Sequence, residues 1–117
     1  MKPRIKLEAI VNDVPVSERG LFRIPVKVES GELLDSFSEV SEEKRAIFEQ
    51  NILACPEIYF TGDYYGVYLP IFKGDRIRGY MDSGGISSIG PMKALAIEPL
   101  DRDGNPKARY LSRYFSD

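Results

Sequence analysis

Glu57-Ile58-Tyr59-Phe60-Thr61-Gly62-Asp63-Tyr64-Tyr65-Gly66-Val67-Tyr68-Leu69-Pro70-Ile71-Phe72 is the stretch whose reading decides the fold. Two runs rich in aromatic and β-branched residues flank Gly62-Asp63, a turn signal, so the segment predicts a tyrosine-rich β-hairpin. Side chains two apart on a strand share a face. In the second run, Tyr65, Val67, Leu69 and Ile71 form the better core face. Tyr64, Tyr68 and Phe72 then point outward around Gly66 and Pro70. A sheet covered on both faces is the competing expectation, because it buries both sets.

Downstream the pattern stays strand-like. Lys73-Gly74-Asp75 is a turn, Arg76–Met81 alternates, and Asp82–Pro91 is a Gly- and Ser-rich loop. Met92–Leu100 predicts a further strand, Asp101–Pro106 a turn, and Lys107–Phe115 a last strand or a short helix. Upstream, Pro56 ends the one helical pattern, expected over 38–54. In that helix Phe37, Val40, Ile47 and Asn51 fall near one face, with Phe48 and Ile52 adjoining. Ser38 or Ser41 caps its start, and the early glutamates suit the positive end of the helix dipole. Lys2–Val11 and Leu21–Val28 alternate as two more strands. Pro25 cannot donate a ladder hydrogen bond, which predicts an edge or a bulge there. The expected fold is α+β. One domain over 1–117 has a mostly antiparallel twisted sheet of about six strands, with the helix on one face.

Composition narrows the chemistry. The 117 residues are 43% hydrophobic and 29% charged, as in ordinary globular domains. No apolar run approaches a membrane span, and no apolar stretch follows the basic N-terminus, so neither a membrane nor a secretory signal is expected. Cys55 is the only cysteine and histidine is absent. These features argue for a reducing, cytoplasmic setting, and against Cys/His zinc sites and His-based nucleophiles. Cys55 itself reads as a small buried residue. The turn aspartates have local hydrogen bonds to make. The Asp101–Lys107 segment lacks the glycine position and closing glutamate of a calcium loop, so no metal and no cofactor is expected. The net charge of −2 conceals a basic block over 1–28, an acidic one over 29–57 and a nearly neutral remainder.

Three binding readings follow, ahead of an enzyme, for which no catalytic pair stands out. The leading one is a non-enzymatic adaptor or inhibitor, of the kind mobile genetic elements encode. It engages a protein partner, or a second copy of itself, through Tyr64, Tyr68 and Phe72 or through an exposed sheet edge. The next is a small anionic ligand held by Arg76, Arg78, Ser83, Gly84 and Gly85, where glycine-rich backbone forms an anion cradle. Its competitor is a plain hairpin loop. The last is nucleic acid on Lys107, Arg109, Tyr110 and Arg113, joined by Lys2, Arg4 and Lys6 if the terminal strands adjoin. An edge strand charged against aggregation is the simpler alternative. The acidic helix reads as a solvated face.

Overall fold

The structure is a computed structural model, and it describes residues 2–34, 39–61, 69–82 and 86–116. In chain order the described elements are β1 (Ile5–Val11), β2 (Val16–Glu18), β3 (Leu21–Leu33), α1 (Glu42–Leu53), β4 (Glu57–Thr61), β5 (Arg76–Met81), β6 (Met92–Pro99) and β7 (Tyr110–Leu111).

The class is α+β, as expected, with one helix among the described residues, but the sheet is neither open nor wholly antiparallel. β1 pairs with both β3 and β5, so the order β1-β3-β4-β6-β5 returns to β1 and closes a five-stranded barrel. One ladder, β4 with β6, is parallel. β2 and β7 are short additions: β2 extends β3, and β7 lies along β6 beyond the end of β4. Alternation identifies which face of a strand is buried. It does not say whether those faces line a flat sheet or the inside of a cylinder.

Closure follows from how β3 is built. Its first half buries Phe22, Ile24, Val26 and Val28. Ala9 then pairs with Val28 and Glu8 with Ser30, so one residue of β3, Glu29, is skipped. Such a bulge bends a strand and reverses which residues face inward. Beyond it, Gly31 and Leu33 stand opposite Leu7 and Ile5, the inward residues of β1. Pro25 lies within this long strand, not on an edge. Its neighbour Val26 donates to Pro56 on the β4 side, so Pro25 turns its missing N–H the other way. There β2 has ended and β1 has not begun, and its carbonyl accepts from Asn12.

The interior is filled by Ile5, Leu7, Ile24, Ile58, Phe60, Ile77, Met81 and Ile97, all essentially buried. α1 packs on β3. Ser41 is its N-cap, accepting from the Lys44 N–H. Ile52 is its only buried residue, while Val40 and Phe48 are partly buried against the core. Ile47, expected on the inner face, is half exposed instead. The helix touches the barrel mainly through its last turn, so a stripe along its whole length is not needed.

Ile52 sits directly over Gly31. A Cβ on Gly31 would lie 2.5 Å from Ile52 Cγ2. We therefore expect Gly31→Val to lift the helix off β3 at a cost of about 1–3 kcal/mol. An unchanged urea midpoint would contradict the contact.

Candidate functional site

The end of the barrel farther from Ile52 carries an apolar patch built on two turns. Phe22, at that end, and Gly31, under the helix, are nine residues apart on one strand, roughly 30 Å at strand rise. The Phe72–Asp75 turn is held tightly. The Phe72 N–H donates to Asp75 Oδ2 at 2.8 Å, and the Asp75 N–H donates to the Phe72 carbonyl at 3.0 Å. Gly74 has φ of 94°, a left-handed conformation that suits glycine. Its N–H donates to the Val11 carbonyl at 2.7 Å, while Val11 N–H donates to Asp75 O at 2.8 Å. These bonds join the turn to the end of β1. The segment after β1 is fixed in turn by Asn12 N–H to Pro25 O and by Val14 N–H to Asp13 Oδ1.

The two turns present Phe72, 66% exposed, and Val14, 64% exposed, on either side of a groove of about 250 Å³. Among the described residues its walls are Val14, Pro15, Phe22, Leu69, Ile71 and Phe72, with Lys73 the one charged residue. Val16, on the adjoining β2, is also half exposed. The hairpin expected for this stretch does not form over the described residues: β4 has β3 and β6 as its two neighbours, and 69–72 is not a strand, although Leu69 and Ile71 are buried and Phe72 is exposed as the spacing predicts. Tyr64 and Tyr68 lie outside the described residues.

The two arginines assigned to an anion are engaged by carboxylates. Arg76 pairs with Glu29 at 3.1 Å. Arg78 donates to Glu8 at 2.9 Å from Nη2 and 3.2 Å from Nε, and lies 3.7 Å from Glu98. The Glu8 hydrogen bond is the main cause of a guanidinium pKa raised above its ordinary value, against some desolvation. Ser83, Gly84 and Gly85 fall outside the described residues. Glu98 is unusual, being only 8% exposed on the outer side of β6. Its Oε1 lacks a hydrogen bond among the described residues, and Arg109 stands 3.9 Å from Oε2. The phenol of Tyr80 beside it is raised above its ordinary pKa, first by burial and then by the Glu98 charge.

The basic and aromatic C-terminal residues lie along β6. Tyr110 is opposite Ile97, Ser112 N–H donates to Leu95 O, and Lys107 N–H donates to Pro99 O. Arg109 stacks on Tyr80 and Phe115, at 5.9 and 5.1 Å from the ring centres. Arg113 stacks on Tyr114 at 4.9 Å. The terminal strands do not adjoin: β5 and β6 separate β1 from β7, so Lys2, Arg4 and Lys6 do not extend this row. Sequence reasoning missed Val14 and Lys93. Val14 sits between turn residues, and Lys93 acquires a setting only through the barrel's strand order.

No histidine occurs in the chain, and no cluster of three Cys, Asp or Glu among the described residues is placed to hold a metal ion. No described helix is long and apolar enough to cross a membrane. No protein-family model, curated protein or solved structure matches this chain.

Two outcomes test this assignment of roles. Arg78→Met leaves the Glu98 carboxylate buried beside Arg109 alone, so we expect a loss of about 1–3 kcal/mol in urea unfolding. Adding Glu98→Gln should recover part of it. A neutral Arg78→Met would return Arg78 to the list of ligand residues. Cys55 is buried, and burial raises its thiol above the ordinary value; the S–H also donates to the Glu57 carbonyl at 3.2 Å, a bond only the protonated form can make. The folded state therefore keeps this proton longer than the unfolded chain. The stabilisation is complete below the ordinary thiol value and is lost as pH rises through the raised one. Urea midpoints between about pH 7 and 10 should fall less steeply for Cys55→Ala than for the wild type. Parallel declines would contradict a buried, protonated thiol.

Proposed function

We propose that this chain is a small recognition protein that engages a protein partner through the apolar end of its barrel, with Phe72 as the anchor. One observation carries the reading: a phenylalanine two-thirds exposed beside an apolar groove, on a turn whose backbone is locked by four hydrogen bonds. An exposed aromatic on a rigid support buries much area while losing little conformational freedom, which is what binding hot spots require. Contiguous exposed apolar surface also costs solubility unless something covers it. Val14 and Val16 widen the contact, and Lys73 at the groove favours an acidic residue next to the partner's inserted side chain. The outer edge of β2 has no neighbour among the described strands, so an extended partner segment would find main-chain groups beside the groove.

Affinity capture from the native host, with wild type and Phe72→Asp run side by side, tests the reading. The expected result is a protein retained by the wild type and by Arg113→Glu, with affinity for Phe72→Asp at least roughly tenfold weaker. Phe72→Asp should melt with the wild type, because the ring contributes little to the core. A partner held equally by Phe72→Asp, or a profile identical for all three proteins, would contradict the proposal.

A further inference from the structure

The outer surface of the barrel carries a second constellation, distinct from the Phe72 end. Arg23 on β3 stands opposite Tyr59 on β4, and Tyr59 stands opposite Lys93 on β6. Their neighbours Phe22, Ile58, Phe60, Met92 and Ala94 are all buried, so these three side chains face outward together. The row continues onto the C-terminal segment, where Lys93 Nζ lies 4.4 Å from the centre of the Tyr114 ring and the Arg113 guanidinium 4.9 Å from it. Cation and aromatic ring thus alternate across three strands, whose neighbours lie about 4.8 Å apart, and onto the segment beyond. From Gly104 to Ser116 the chain carries Lys107, Arg109 and Arg113 and no acidic residue. That segment runs antiparallel along β6 from beside Pro99 to beside Leu95, extending basic character about 20 Å from Lys93.

We propose that this face binds single-stranded nucleic acid, its bases stacking on Tyr59 and Tyr114 and its phosphates meeting Lys93, Arg113 and Lys107. Stackable rings interleaved with cations are the general requirement for holding an unpaired strand, since every base has a π face and every linkage a charge. A simple anion has no use for Tyr59, and a duplex hides the base faces these rings would meet. The acidic side chains on this face set the path of the strand. Glu57 holds Arg23 through two hydrogen bonds, of 2.7 and 3.1 Å, and Glu18 lies 3.6 Å from the same guanidinium. Glu98 is buried beneath Arg78 and Arg109. The phosphates therefore follow the Lys93–Arg113 side, and the Arg23 end closes the site. Small Greek-key barrels that bind oligonucleotides use the outer face of their second and third strands. Here those are β3 and β4, counted around the closed barrel. Strand order alone assigns no function.

Fluorescence anisotropy with a labelled oligothymidylate of about 12 nucleotides, and with a duplex of equal length, tests it. Single-strand binding is expected at low salt, with log affinity falling against log salt at a slope of about −2 for three phosphate contacts. Tyr59→Ala and Tyr114→Ala should each weaken it roughly fivefold to hundredfold. Tyr114→Phe should retain it, and Lys93→Glu with Arg113→Glu should abolish it. Phe72→Asp should leave it unchanged, which separates this site from the protein-binding end. Unaltered melting temperatures show that each variant is folded. Absence of binding at low salt, equal affinity for the duplex, or folded alanine variants that bind as the wild type does would each overturn the proposal.

Discussion

β1 is hydrogen-bonded along both of its edges, to β3 on one side and to β5 on the other. Without the first ladder the sheet is an open ribbon with two long unpaired edges, the arrangement that invites aggregation. With it, one face of every barrel strand is sealed inside a single core. Closure requires β3 to curve, and the residue skipped between Val28 and Ser30 is a bulge of the kind that bends a strand. Glu29 and Ser30 are both exposed there, so the reversal of facing costs no buried side chain. Gly31 completes the arrangement by leaving room for Ile52, which ties α1 to the curved part of β3.

Once the interior is closed, function is confined to the outside and the two ends. Towards one end α1 packs on β3, where Ile52 meets Gly31. The other is left with Phe72 and Val14 standing proud of an apolar groove, on turns tied to the end of β1. The same closure makes the outward residues of β3, β4 and β6 neighbours in one surface. The parallel β4–β6 ladder is decisive, because it sets Tyr59 beside Lys93, residues far apart in sequence. The C-terminal segment runs alongside β6, where Ser112 N–H donates to Leu95 O, and brings Arg113 and Tyr114 to the same row.

Much of the local structure is written in the residues. The alternation of Ile5–Val11, Leu21–Val28 and Arg76–Met81 gives the right strands and the right inward faces. Ser41 and Pro56 bracket the helix as capping chemistry requires. Burial of Leu69 and Ile71 against exposure of Phe72 agrees with the spacing, although the strand that spacing implies does not form there. The continuation of β3 from Glu29 to Leu33 was hidden because the bulge changes the phase of the pattern. β2 was hidden by its length of three residues. The parallel pair and the closed order depend on which ladders form between distant segments, and no local pattern encodes that choice. For the same reason Lys107, Arg109, Tyr110 and Arg113 were legible as a basic and aromatic run. Their neighbours Lys93 and Tyr59 were not. Arg76 and Arg78 read as available cations because Glu29, Glu8 and Glu98 come from other strands.

Successive amides of a strand point to opposite sides, so a strand with two neighbours shelters both alternating sets while a strand with one shelters half. Native-state hydrogen exchange, followed residue by residue by NMR over Ile5–Val11, therefore reads barrel closure directly. The account predicts slow exchange for both alternating sets of β1 amides, at rates comparable to those of β5 and β6. Slow exchange confined to the set facing β5, with the other set exchanging as an exposed edge does, would contradict it.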